Sequence, residues 1–282
     1  MMDAGKKAAE EENGYKVAGM KVQIEKIKSK YAEIDIENIP LYLLNAIRRI
    51  MLSELPKLAI EDVVIYDNTT ALFDEIISHR LGLVPIPTDL SLLNFKADCA
   101  CNGVGCPSCT VRYTLSKEGG GAVHSGDLQP AEASWAITED KIPIVELFGD
   151  QRLILEVEAV LGRGRDHAKW QSVISPGYRF HPHISFKKEN KEQVEEFISE
   201  LPDGLVTMKD NELIISDITK IPILESYMDK LHADFISLEK DQGRIHFHFE
   251  TDGSLQAKDA LIHSVKIFED KLTELQGLLK DL

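Results

Sequence analysis

Four cysteines fall within eleven residues, as Cys99-x-Cys101-x4-Cys106-Pro-Ser-Cys109, and the chain has no others. Four thiolates at this density can close a tetrahedral site at a metal–sulfur distance of about 2.3 Å. Gly103 and Gly105 allow the backbone to fold tightly between the two pairs. Cys106-Pro-Ser-Cys109 has the knuckle spacing of structural zinc sites. Zinc is the first choice. With all four ligands supplied by protein it would have no open position and no catalytic role. An iron–sulfur cluster stays open as an alternative. So does a metal-free state with thiols or disulfides, although Cys-x-Cys is awkward for an intrachain disulfide. The cluster mainly staples a loop that lacks a core of its own.

Other residues of chemical interest carry less. Glu33, Asp35 and Glu37 share one strand face and could hold a divalent cation, but a solvated face explains them as well. His181 with His183, and His246 with His248, sit two apart on strands. Such pairs can bind metal, yet no third ligand is evident and solvent-facing positions account for them. Gly162-Arg-Gly-Arg-Asp-His-Ala-Lys-Trp170 is basic and glycine-rich. It could cradle phosphate, but it leads into no convincing helix and reads as a contact loop or a plain connector. The chain has no Walker loop, nucleophile elbow or dinucleotide fingerprint, so no catalytic residue is expected.

The elements that position these groups follow from periodicity. Residues 21–28 and 31–36 alternate as a hairpin turning near Ser29 and Lys30, with Ala32, Ile34 and Ile36 on one face. After Pro40 comes a helix, Leu41–Leu52, that is apolar around most of its circumference. A surface helix normally has one apolar stripe, so this one needs cover from its own domain and from something else. Residues 58–67 predict a strand and 72–81 a helix with Gly82 as a C-cap. Further strands are expected at 111–115, 142–148 and 153–161, with a flexible loop at Gly119–Gly121. An acidic helix over 188–203, a hairpin over 205–216 and a short helix over 223–231 resemble a small α+β module. Ile245–Phe249 is a strand, and Ser254 can cap the last helix. In that helix Leu261, Val265, Phe268, Leu272, Leu275, Leu279 and Leu282 are spaced four and three alternately. This is an a/d seam, buried either within the subunit or between two.

Bulk properties limit the partners. The chain has 282 residues, 43% hydrophobic and 28% charged, which suits one domain with another inserted in it, or two. No apolar run reaches the ~18–20 residues that span a bilayer, and residues 1–17 read as a mobile tail, not a signal peptide. Cytoplasmic location is the expectation. The net charge is −15, from 47 acidic and 32 basic residues. A protein that grips phosphates needs a basic surface, so little direct nucleic-acid contact is expected.

Several motifs in order carry a family resemblance. Leu44-Asn-Ala-Ile-Arg-Arg-Ile-Met-Leu-Ser-Glu-Leu-Pro56 resembles the signature of the alpha-type subunits of multisubunit RNA polymerases. Ala59-Ile-Glu-Asp-Val63, Asp74-Glu-Ile-Ile-Ser-His-Arg-Leu-Gly-Leu-Val-Pro-Ile-Pro87, Gly164-Arg-Asp-His-Ala-Lys-Trp-Gln171 and Glu250-Thr-Asp-Gly-Ser-Leu255 are similar to the archaeal, D-type branch of that family. The D-type branch is the counterpart of the bacterial alpha N-terminal domain and of the third-largest subunit of eukaryotic polymerase II. The resemblance implies an α+β fold with a split alpha-like dimerisation domain, residues 18–53, 176–187 and 236–282. Within it lie a mostly-β inserted domain, 54–175, carrying the cysteine loop, and a small ferredoxin-like insert, 188–235. Many archaeal relatives hold iron–sulfur clusters in that insert, but here it has no cysteine, which makes a cluster there chemically implausible. The Cys99–Cys109 loop matches instead the zinc loop of the eukaryotic counterpart. The resemblance further implies a non-catalytic subunit of a DNA-directed RNA polymerase. Its partners would be the small alpha-like subunit L, the small subunits N and P, and the large catalytic subunits. Partner-binding positions would be Leu44, Asn45, Ile47, Arg48, Arg49, Met51, His79 and Arg80, with Leu261, Val265, Phe268 and Leu272 of the last helix. Leu44, Ile47 and Met51 would pack, and Arg48 and Arg49 would make polar contacts.

Overall fold

The computed structural model describes residues 19–210 and 212–280. The expected tail at 1–17 and the last seam position, Leu282, lie outside the described residues.

The chain opens with strands β1 (Lys21–Ile27) and β2 (Tyr31–Glu37), then helix α1 (Leu41–Ser53), strand β3 (Pro56–Asn68) and helix α2 (Asp74–Gly82). After the cysteine loop come β4 (Thr110–Glu118), β5 (Gly121–His124), β6 (Gln129–Pro130), β7 (Pro143–Leu147), β8 (Arg152–Arg163) and β9 (Val173–Phe186). Helix α3 (Lys191–Ser199), β10 (Val206–Lys209), β11 (Glu212–Ile215), α4 (Ile221–Lys230), β12 (Ile236–Thr251) and α5 (Ala257–Lys280) complete the order. Among the described residues the sheets run β1-β2-β12-β9-β11-β10, β3-β8-β4-β6 and β5-β7. The fold is a mixed α+β one with antiparallel pairing wherever register is defined.

Two compact units divide the chain. The larger comprises Ile24–Ile34, Leu41–Arg179 and His246–Leu282. Its four-stranded sheet sets Leu58 opposite Leu161 and Val63 opposite Val157, and β4 places Tyr113 opposite Val157. Alternation puts Leu58, Ile60, Tyr113, Leu115, Leu155 and Val157 into one core with Ile77 and Leu81 of α2. Each such fully buried aliphatic side chain contributes roughly 1.5–3 kcal/mol. A bulge between Ile60 and Asp62 breaks the β3 ladder. There the Lys169 ammonium donates to the Ile60 carbonyl at 3.0 Å and pairs with Glu61.

Helix α1 stops where Pro56 can no longer donate, and Leu55 N–H closes back on the Ile50 carbonyl at 3.1 Å. Helix α5 packs on α1. The stripe it buries is Ala257, Ala260 and Ser264, small side chains that let two helices approach closely. The Ser264 hydroxyl is satisfied by the Ala260 carbonyl at 2.7 Å. A buried ion pair, Lys57 with Asp252, ties the start of β3 to the turn before α5.

The smaller unit runs up to Gln23, then Asp35–Pro40 and Phe180–Ile245. Its core gathers Ile184 and Phe186 of β9, Val194 and Phe197 of α3, Val206, Leu213, Leu224 of α4 and Ile236. Phe197 meets Phe235 edge-on at 6.4 Å between centroids.

Several local expectations are corrected. Asp35 does not face solvent: it is buried and holds Arg244 and His181 at 2.8 Å each, so partners on two sides replace hydration. His246 is buried rather than solvent-facing, and His248 is half-buried. Burial, helped by the charges of His246 and Arg179, holds the His248 pKa below its usual value. Gly82 ends α2 without a left-handed turn, and the cap is Leu83 in right-handed geometry. Ser254 does not cap α5, since its hydroxyl and amide both bond the Asp252 carboxylate, at 2.6 and 3.0 Å. The acidic helix shortens to Lys191–Ser199, while the strands at 173–186 and 236–251 run far longer than their apolar alternation indicated.

Candidate functional site

Two places in the larger unit collect the residues singled out by sequence. The first is the cysteine loop between α2 and β4. Here the four sulfurs lie within 4.8 Å of one another. Cys99 and Cys106 are 3.5 Å apart, Cys101 and Cys109 3.6 Å, and Cys106 and Cys109 3.8 Å. Tetrahedral ligation at 2.3 Å requires sulfurs roughly 3.8 Å apart, so the donor set fits a single ion. All four are free thiols rather than disulfides. The loop reaches this geometry through left-handed backbone at Asn102, Gly103 and Gly105 (φ 53°, 80° and 98°). The Cys109 amide bonds the Cys106 carbonyl at 2.9 Å, which closes the knuckle.

The thiols are strongly inequivalent. The Gly105 backbone N–H, aided by the other three sulfurs, lowers the Cys101 pKa to about 6. For Cys99 the Cys101 amide works in the same direction, but the Cys106 thiol, burial and the remaining sulfurs push it up to about 12.

The second place is the surface of α1 and α5. Leu44 and Met51 of α1, expected at the partner surface, are buried in this subunit's own packing. Ile47 and Arg48 are half-buried, and the Arg48 guanidinium donates to the Asn45 side-chain oxygen at 3.2 Å. Arg49 is exposed. On α5, Leu261 and Phe268 are half-buried. Val265, Leu272, Leu275 and Leu279 are 44%, 45%, 51% and 57% exposed. Every described residue from Lys271 onward is exposed, so the apolar seam continues along a helix end that no described residue covers.

Around the end of α1 the glycine-rich stretch has its use. Arg165 N–H donates to the Ser53 carbonyl at 3.0 Å, and its guanidinium reaches Glu54 at 3.2 Å. A Cβ on Gly164 would meet the Leu52 carbonyl oxygen at 2.1 Å, and one on Gly162 would enter the Trp170 ring at 2.2 Å. The Asp166 and His167 amides bond the Arg163 carbonyl, and the Lys169 amide bonds His167 Nδ1. With those donors turned inward, the stretch is a clasp on α1 and not a phosphate cradle. On α2, His79 and Arg80 are exposed, with Arg80 donating to the Ile144 carbonyl at 2.7 Å. Phe73 and Leu83 at its two ends are exposed as well.

Sequence reasoning missed Lys57–Asp252 and the Lys96–Glu158–Arg112 group beside the cysteine loop. Nothing in linear spacing joins residues so far apart.

An exposed heptad seam on a helix already packed against a second one is compatible with a pairing surface, and relatives give the class. Residues 33–272 match the RNA polymerase Rpb3/Rpb11 dimerisation domain, and the chain belongs to that family. More particularly, it is 35% identical over 265 residues to DNA-directed RNA polymerase subunit Rpo3 of Thermoplasma volcanium, covering 89% of this chain and 96% of that one. The Rpo3 subunit of Picrophilus torridus is 33% identical over 273 residues, covering 92% and 100%. That of Methanosarcina acetivorans is 35% identical over 266 residues, covering 93% and 99%. Among the described residues no helix is long and apolar enough to cross a membrane.

Proposed function

We propose that this chain is the assembly platform of a DNA-directed RNA polymerase, pairing through α1 and α5 with a small alpha-like subunit of the L type. It is a non-catalytic subunit of that polymerase and works in partnership with other polymerase subunits. The observation that carries the pairing is the exposed run Val265–Leu272–Leu275–Leu279, which continues along a helix whose buried small residues, Ala257, Ala260 and Ser264, are confined to its first two turns. A seam of 3.5-residue period, half-buried at Leu261 and Phe268 and exposed from Leu272 onward, is what a partner helix completes.

In this reading residues 18–53, 176–187 and 236–282 form the dimerisation domain. Residues 54–175 are the inserted domain, and 188–235 a cysteine-free ferredoxin-like insert. Ile47, Arg48 and Arg49 with Leu261, Val265, Phe268 and Leu272 meet the L-type partner. Asn45 holds Arg48 in place, and His79 and Arg80 meet a large catalytic subunit. The N- and P-type small subunits help to seat those large subunits. Zinc occupies the four-cysteine loop, held by Cys99, Cys101, Cys106 and Cys109, and supplies cross-linking of the loop rather than reactivity. The protein works in the cytoplasm with little direct nucleic-acid contact, as its −15 charge favours.

Co-expression with an L-type subunit tests the pairing. We expect a soluble heterodimer by light scattering, lost in Leu272→Glu/Leu275→Glu with an unchanged circular dichroism spectrum. A double variant that pairs as well as the parent removes α5 from the interface and the proposal with it.

A further inference from the structure

Beneath the metal loop lies a group of charges that the four-cysteine reading does not use. Lys96 precedes Cys99 by three residues and donates Nζ to Glu158 of β8 at 2.7 Å. Arg112 of β4 donates to the other oxygen of the same carboxylate at 3.2 Å. Glu158 sits against the loop itself. A Cβ built on Gly105 would meet its two oxygens at 3.6 and 3.8 Å and Thr110 Oγ1 at 3.3 Å. The carboxylate is only 17% exposed, so it is a poorly hydrated anion facing the turn that carries Cys106 and Cys109.

The arithmetic of charge makes this costly. A divalent ion with four thiolates carries net −2, and Glu158 adds a further negative charge under the same loop. Two cations compensate. Burial acts to raise the Glu158 pKa, yet the Lys96 and Arg112 bonds carry it below the usual carboxylate range. The Lys96 pKa is raised, first by its bond to Glu158, against the opposing effect of burial. Lys96 therefore meets the cysteine loop through Glu158, whose oxygens lie 3.6 and 3.8 Å from the Cβ position of Gly105. Arg112 is a rim cation with 67% of its side chain exposed, against 31% for Lys96. Solvent screens the arginine more, which leaves the lysine as the effective counter-charge.

We infer that Lys96 is a positioning residue for the metal centre: it neutralises Glu158 under the loop and so lowers the electrostatic cost of gathering four thiolates on one divalent ion. The inference rests on the metal reading of the cysteine loop. A simple mechanical tether between loop and β8 is the competing account, and charge separates the two. Lys96→Gln makes the surroundings one unit more negative. Glu158→Gln makes them one unit more positive while breaking the same bond.

The experiment uses the full chain co-purified with its small partner and loaded with Zn²⁺. Metal content is measured first, then the rate of zinc transfer to a chromophoric chelator. Lys96→Gln is expected to release zinc roughly tenfold faster, the scale that outer partners of metal sites carry. Lys96→Arg restores the parent rate. Glu158→Gln releases no faster than the parent, and the Lys96→Gln/Glu158→Gln pair returns close to it. Equal acceleration in both single variants, with no recovery in the double, means a tether and overturns the inference. So does an unchanged rate in Lys96→Gln. A parent complex with no bound metal overturns both the inference and the metal reading, whereas metal in the parent with unaltered release in the variants overturns the inference alone.

Discussion

Between Phe95 and Cys109 only Cys99 and Cys109 are buried, and three positions take left-handed backbone. Between Ile184 and Ile236, by contrast, eleven hydrophobic side chains close a core around α3 and α4, with no cysteine among them. The first segment cannot bury enough apolar surface to offset the conformational entropy of its own order. The second can. The chain thus uses its thiols where a core is missing and dispenses with them where a core exists. The cysteine-free segment has Phe197, Leu213 and Leu224 to hold it.

The comparison can be broken at either end. The largest effect is expected from Cys109→Ser, since structural zinc contributes about 10–16 kcal/mol of apparent binding free energy in small metal-dependent folds. Metal content falls to background and limited proteolysis cuts within residues 96–109, while helical circular dichroism is retained. If the loop stays protected, it has a source of order other than its thiols. Phe197→Ala comes next, at about 3–5 kcal/mol for a buried phenylalanine. Amide exchange should rise across residues 184–236 and zinc content should stay constant; a change in metal content would show that the two regions are not independent. Ile214→Thr is the smallest. This side chain is 47% exposed, so a shift beyond about 0.5 kcal/mol in urea would reveal cover on that face that this chain alone does not provide.

Local spacing located several elements. The hairpin at residues 21–37, α1, α5 and the cysteine knuckle were all legible, because two-residue and 3.5-residue spacing and clustered thiols are local signals. The seam on α5 was legible as a seam, but whether its own subunit covered it was not. That answer came from Ala257, Ala260 and Ser264, whose small side chains carry almost no hydrophobic signal and yet mark the buried face. Strands β9 and β12 were only partly legible. Polar residues such as Arg179, His181 and Arg244 interrupt their alternation, and Asp35 satisfies two of them at a distance of more than a hundred residues. Leu44 and Met51, which a family motif drew toward the partner, are buried in this subunit's own packing.

The clasp at Gly164 has a meaning in time as well as in space. The Ser53 carbonyl and the Arg165 amide are 112 positions apart in sequence, and their bond completes the last turn of α1. A contact of such sequence separation forms only after the intervening chain is in place, because loop-closure entropy opposes it until neighbouring contacts have formed. The final turn of the helix is then a late folding event although the helix lies early in the chain. In pulse-labelling exchange, Glu54 and Leu55 are expected to gain protection with β8, after the middle of α1. Protection gained together with Leu44 would mean that the helix closes without its clasp.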